Sequence, residues 1–250
     1  MANIILKNVS IEFPIYHANA RSLKKQFLRL STGGKLLQTA KSLSVKALSE
    51  INLHIEHGDR IGLVGHNGAG KSTLLRVLSR IYEPTEGYLN IEGSVSPLLD
   101  LMFGIEPEST GYENIFTRGL LLGHTRKKIY EKIDEIADFT GLGDYLSVPI
   151  RTYSAGMRLR LAFGVATSIA PEILVLDEVV GTGDLAFMEK AKARMNQLIE
   201  QSSIVVIATH SEKMMKEVCN KVVVLKAGKI EFYGDVKEGI EKYHESTANQ

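Results

Sequence analysis

Apolar residues fall into short runs parted by polar, glycine-bearing turns, and the runs change character along the chain. Residues 4–9 and 47–56 read as strands, the second with Leu48, Ile51, Leu53 and Ile55 as its apolar positions. His57-Gly58-Asp59 turns into an apolar run at 60–65 that ends in glycines. Residues 71–80 then carry Leu74, Leu75 and Leu78 at helical spacing, until Glu83-Pro84-Thr85-Glu86-Gly87 stops the helix. Strands are predicted near 88–91 and 94–98. From 99 to 149 the pattern becomes helical, with helices over 110–122 and 126–140 and a break at Gly141-Leu142-Gly143-Asp144. Ser154 is a good cap for a helix over 155–168. Wholly apolar runs at 173–176 and 204–208 suit strands buried on both faces of a parallel sheet, and helices at 185–201 and 211–219 alternate with them. Ala227-Gly228, between strands at 221–226 and 229–234, predicts a hairpin, and Asp235 caps a last helix reaching about 245. Strands alternating with helices predict an α/β fold with a mainly parallel sheet.

Composition narrows the function classes. With 250 residues, 44% hydrophobic and 24% charged, the chain has ample core and is not a disordered one. Thirty Lys and Arg against twenty-nine Asp and Glu leave a net +1, which argues against a uniformly basic nucleic-acid binder. A lone cysteine, Cys219, excludes an intramolecular disulfide and a multi-cysteine zinc site, and fits a reducing compartment. No run approaches the roughly 18–20 apolar residues needed to cross a bilayer, and the first residues are too short for a signal-peptide core. The expectation is a cytoplasmic chain whose membrane role comes through a partner. Charge is uneven, however. Residues 14–46 carry Arg21, Lys24, Lys25, Arg29, Lys35, Lys41 and Lys46 with no acid. Within this basic insertion Leu23, Phe27 and Leu30 stand at i, i+4 and i+7. It reads either as a helix packed on the sheet with a solvated basic face, or as a cationic face near anionic lipid or a pyrophosphate-linked substrate.

Gly65-His66-Asn67-Gly68-Ala69-Gly70-Lys71-Ser72 matches G-x-x-x-x-G-K-[ST] in full, after a predicted strand and before a predicted helix. Glycines at 65, 68 and 70 let backbone N–H groups turn toward phosphates, and the helix adds its positive end. Lys71 is placed to reach the β- and γ-phosphates and Ser72 to hold Mg²⁺; Thr73 follows in the same turn. Ile173-Leu174-Val175-Leu176-Asp177-Glu178 puts two carboxylates at a strand's C-terminal end, where open α/β sheets bind ligands. Asp177 is the Mg²⁺ partner expected there, and Glu178 the base that orients an attacking water. Asn220-Lys221-Val222-Val223 lacks the acid of a guanine-specific element. Tyr153-Ser154-Ala155-Gly156-Met157 offers a second anion-binding helix start. One nucleotide needs one cradle, so two suggest a site completed by another subunit; the plainer alternative is that Ser154 is only a cap.

On these motifs, their order and approximate spacing, the chain resembles the ABC ATPase family over nearly its whole length. The resemblance implies one P-loop ATPase domain over 1–250: a mainly parallel core, an antiparallel β-subdomain and a helical subdomain at about 99–165. It assigns Ser154 and Gly156 to the γ-phosphate of ATP held by the opposite subunit of a homodimer, and His210 to the γ-phosphate as the switch histidine. Asp184 resembles the loop that crosses the dimer interface. Phe13, with Tyr16 second, is the aromatic expected to stack on adenine, unless Phe13 is core. Asp100 stands where the family has a Mg²⁺-sensing glutamine, and is either its replacement or an ordinary surface acid. Ala155 and Met157 depart from the usual signature. Thr110-Gly111-Tyr112-Glu113-Asn114-Ile115, Tyr153–Arg158 and Gly183-Asp184-Leu185-Ala186-Phe187 are similar to ATPases of polysaccharide exporters, of O-antigen, teichoic acid and galactan types. The implied partners are a membrane permease and a lipid-linked polysaccharide, at the cytoplasmic face of the inner membrane, with no nucleic acid. Some O-antigen members carry a carbohydrate-binding domain after the ATPase, and the expectation for this chain is that it has none. An exporter of another cargo, or a non-transport ABC ATPase, is the alternative.

Overall fold

The computed structural model describes residues 1–15, 35–39, 42–177 and 185–248. The chain packs as two units, one of residues 1–95, 175–178 and 203–250, the other of 96–174 and 179–202.

The first unit contains two sheets. β1 (Asn3–Ile15), β2 (Lys35–Thr39), β3 (Ser42–Ile55) and β5 (Glu86–Glu92) form an antiparallel sheet in the order β2-β3-β1-β5. β1 runs well past the expected 4–9. It continues through Phe13 and Pro14 because β3 pairs with it as far as Ile15↔Leu43, and that pairing outweighs a local proline. β2 was not expected; it lies inside the basic stretch, whose remaining residues 16–34 are outside the described ones, as is the predicted amphipathic helix there. The second sheet places β4 (Arg60–Val64), β7 (Ile173–Asp177), β8 (Ile204–Ala208), β9 (Lys221–Lys226) and β10 (Lys229–Asp235) in the order β10-β9-β4-β8-β7, with β6 (Val95–Leu98) next to β7. β4 is parallel to both β8 and β9, and β10 returns antiparallel. Every residue of β8 is buried, as its unbroken apolar run requires. Leu74, Leu75, Val77 and Leu78 of α1 (Lys71–Leu78) are buried. Beside β9, Met215 of a short helix (Glu212–Val218) and Val236 and Ile240 of the last helix (Val236–Ala248) join Val222 and Val224 in one cluster.

The second unit contains the 99–165 stretch and adds the helix that follows β7. Its helices are α2 (Gly111–Leu121), α3 (Arg126–Thr140), α4 (Ala155–Ala166) and α5 (Leu185–Gln201); the helix Glu212–Val218 of the first unit is then α6 and Val236–Ala248 is α7. Ile115, Ile129, Ile136, Leu161 and Val165 form the interior of α2, α3 and α4. The predicted break after α3 is built as two 3-10 turns, Gly143–Ser147 and Ile150–Thr152, which bury Leu146 and Ile150 in the same interior. Phe187 of α5 meets Phe139 and Phe163 edge-on at 5.7 and 6.0 Å. Among the described residues no helix is long and apolar enough to cross a membrane.

Candidate functional site

The phosphate loop joins β4 to α1. Gly70 sits at φ +107°, and a Cβ there would lie 2.9 Å from Leu48 Cδ2 and 3.0 Å from the Ala47 carbonyl. The conformation and the space both demand glycine. No side chain caps α1 and no acid stands in its first turn, so its N-terminal N–H groups and dipole are left for an anion. Lys71 Nζ donates to the carbonyls of Gly65 and His66, which draws the ammonium across the loop. His66 Nδ1 lies 2.8 Å from the Asn67 carbonyl, and Asn67 and Gly68 are exposed. A second clasp comes from far along the chain. Gly228 N–H donates to the Ala69 carbonyl at 2.9 Å, and the Gly228 carbonyl accepts from Ser49 N–H at 2.8 Å. The predicted hairpin makes this possible, because Ala227 and Gly228 both take positive φ, 48° and 76°.

Sheet register brings the other residues to the same edge. Leu63 of β4 is level with Ala208 of β8, so Gly65 and His210 emerge two residues beyond a matched pair. His210 is exposed, next to a turn in which Ser211 N–H donates to Thr209 Oγ1. On the other side of β8, β7 ends at Asp177, whose Oδ2 accepts from Ser72 Oγ at 3.3 Å. Two hard oxygen donors on adjoining element ends fit a Mg²⁺ ion that takes its remaining ligands from phosphate and water. A dedicated protein cage is absent: the described residues contain no cluster of three His, Cys, Asp or Glu able to hold a metal. Glu178 and Asp184 lie outside the described residues.

Phe13 is 38% exposed, so it is not core; its ring meets Tyr82 edge-on at 5.4 Å, and Arg76 lies over the Tyr82 ring at 5.7 Å. Tyr82 was not singled out in the sequence; an aromatic just beyond the first helix was the available signal.

The remaining expected residues are in the second unit. Ser154 caps α4, accepting from Met157 N–H at 3.2 Å, and Ser154, Ala155 and Gly156 are all exposed. Among the described residues a Cβ on Gly156 would meet nothing nearer than Ser154 Oγ at 3.9 Å, so their packing does not require glycine there. Behind this exposed tip stands Tyr153, buried, its hydroxyl donating to the Tyr145 carbonyl and its ring edge-on to Tyr145. Burial raises its phenol pKa. Arg158 Nε donates back to the Tyr153 carbonyl at 3.3 Å. The segment ahead is pinned by Ile150 N–H to the Ser109 carbonyl and Arg151 N–H to the Pro107 carbonyl. Buried Asn114 holds the loop 106–110 in turn, accepting from Glu106 N–H and donating to the carbonyls of Glu106, Ser109 and Thr110. Sequence reasoning missed this support. Asp100 is exposed and caps Met102 N–H at 2.9 Å.

A phosphate loop on a parallel strand, with an acidic strand end two places across the sheet and the helix hydroxyl bonded to it, defines a P-loop nucleotide-triphosphatase. The model of the ABC transporter family matches residues 48–181, and the chain belongs to that family, as an ATPase. It is 47% identical over 231 residues to the O-antigen export system ATP-binding protein RfbE of Yersinia enterocolitica, covering 92% of this chain and 97% of that one. It is 35% identical to the teichoic acids export ATP-binding protein TagH of Bacillus anthracis, over 96% of this chain but 42% of that protein. Among solved structures, a dimeric ATP-binding cassette in a post-hydrolysis state with ADP and phosphate superposes with TM-score 0.64 at 19% identity, covering 93% of this chain and 98% of the other.

Proposed function

We propose that this chain is the ATP-hydrolysing subunit of an exporter of lipid-linked cell-surface polysaccharide, of O-antigen type. It works as a homodimer beneath a membrane permease, at the cytoplasmic face of the inner membrane. The cargo reading is supported by the relative from Yersinia, similar over almost the full length of both chains. A teichoic acid cargo is the second reading, favoured by the Bacillus relative.

The observation that carries the mechanism is the exposed Ser154–Gly156 tip, a helix start with a glycine that no contact among the described residues demands. Backbone N–H groups of the loop and of the first turn of α1 bind the phosphates, and Lys71 turns from its carbonyls toward the β- and γ-oxygens. Ser72 and Asp177 hold Mg²⁺, which neutralises phosphoryl charge when bound. Glu178 orients the water, and His210 contacts the γ-phosphate. Ser154 and Gly156 of the second copy approach that phosphate from the opposite side, and the absence of a Cβ at 156 lets the backbone come close. Phe13 stacks on adenine.

The test is Glu178→Gln. Turnover is expected to fall by at least about a hundredfold with ATP binding retained and a dimer trapped by ATP. Full-speed hydrolysis by a strict monomer, with Ser154→Ala at no cost, overturns the two-copy mechanism. Loss of surface polysaccharide on deletion, restored by the wild-type gene and not by Glu178→Gln, tests the cargo.

A further inference from the structure

Arg118 of α2 is 3% exposed, and among the described residues its Nε and Nη1 have no hydrogen-bond partner. A guanidinium cannot escape burial by losing its proton. Burial lowers its pKa only to about 10, against the opposing pull of Asp100, so it is charged at neutral pH. A buried charge with open donors costs stability unless an acceptor reaches it during function. The neighbouring amide is not that acceptor: Asn114, one turn earlier on α2, has its oxygen committed to Glu106 N–H and its nitrogen to three carbonyls.

Asp100 is the acid whose charge acts on Arg118, yet its carboxylate faces outward and caps Met102 N–H. The turn that carries it is lightly held. Beyond that cap its bonds are Phe103 N–H to the Asp100 carbonyl and Ile105 N–H to the Met102 carbonyl, both 3.3 Å. It also lies along α2: a Cβ on Gly104 would stand 2.6 Å from Leu121 Cδ1, one turn beyond Arg118. Met102 and Phe103 are exposed at its tip.

We propose that Arg118 is a positioning residue giving Asp100 a second station, in which the carboxylate leaves Met102 N–H, turns inward and accepts from the open guanidinium donors. The outward station presents the acid; the inward one withdraws it. Alternation between them during turnover gives a protein acceptor to a buried cation whose Nε and Nη1 have none among the described residues. This rests on the reading of Asp100 as a residue of the nucleotide cycle.

The chain has no tryptophan, so Phe103→Trp supplies a single emitter in this turn. In the full chain, Mg·ATP is expected to shift its emission. Arg118→Met is expected to abolish that shift while melting no lower than the Phe103→Trp parent, since an apolar side chain of similar length removes the buried charge. In otherwise wild-type chains, Arg118→Met is expected to lower kcat several-fold with KM for ATP within twofold. Asp100→Asn should give a like loss, and the double variant no further one. If Arg118→Met does not fold, Arg118→Lys, which keeps charge but lacks the Nε–H donor, is read the same way. An emission shift that survives without Arg118, or losses that multiply in the double variant, overturns the pairing. Wild-type kcat in Asp100→Asn overturns the reading of Asp100 beneath it, whatever the tryptophan shows.

Discussion

Gly70 and Tyr153 show how single residues hold the phosphate loop and the segment before Ser154. At Gly70 an alanine would need a strained positive φ and room already filled by Leu48 and the Ala47 carbonyl. Gly70→Ala is expected to destabilise by about 1–2 kcal/mol, measured by chemical unfolding, and to weaken ATP binding at least tenfold. At Tyr153 the ring packs and the hydroxyl ties the signature segment to the Tyr145 carbonyl. Tyr153→Phe keeps the packing and leaves that carbonyl to Val148 N–H alone, at 3.1 Å, so a loss of about 0.5–1 kcal/mol is expected. If the tie also sets the aim of Ser154, kcat falls with KM for ATP unchanged. Much at this scale was legible in the sequence. Lys71, Ser72 and Asp177 are named by contiguous motifs whose chemistry is local, and the structure brings Ser72 and Asp177 within hydrogen-bond reach. Asn114 and Arg118 were not legible, because their meaning depends on which loops the fold lays over α2.

The elements were read well where periodicity was strong. α3, α5, β8 and β9 match the expected ranges, and α2 starts where Thr110 and Glu113 complete a capping box. Thr110→Ala is expected to cost about 1 kcal/mol in unfolding free energy. What escaped was set by partners rather than by local pattern. β1 runs on because β3 does, and the 3-10 turns exist because Leu146 and Ile150 have an interior to enter. The contact between α3 and α5 has a pH signature. Glu135 lies 2.5 Å from Arg194 and 2.5 Å from Lys132. Desolvation raises its pKa, but hydrogen bonds and charge from Lys132 and Arg194 outweigh this and lower it below the usual carboxylate value. Its contribution is therefore present above the unfolded carboxylate pKa and lost as pH falls through the lowered folded value. Glu135→Gln is expected to flatten that part of the acid-unfolding curve, as followed by circular dichroism.

For the molecule as a whole, the proposed mechanism makes the two helix starts at α1 and α4 decide how many copies the reaction needs. In the proposed mechanism α1 receives the phosphates of its own nucleotide, and α4 presents a tip that the described residues of its own unit leave open. A chain carrying Lys71→Ala mixed with one carrying Ser154→Ala is expected to regain one working composite site per heterodimer, measured as ATP turnover above that of either variant alone. No recovery on mixing would show that the two residues serve the same nucleotide within one chain. The class of protein was readable from sequence at this scale because the motifs keep family order over the whole chain. The polysaccharide-export type was readable as well, from strings such as Thr110-Gly111-Tyr112-Glu113-Asn114-Ile115 outside the phosphate loop, since nothing in the loop itself records what is exported.

The Gly228 clasp on Ala69 and Ser49 has a consequence for biosynthesis. Residues 65–72 are translated before the backbone groups that brace them, which belong to a hairpin more than 150 residues further on. Nascent chains stalled before that hairpin are expected to retain nucleotide less well than chains stalled after it, because the loop is braced only once the hairpin has been made.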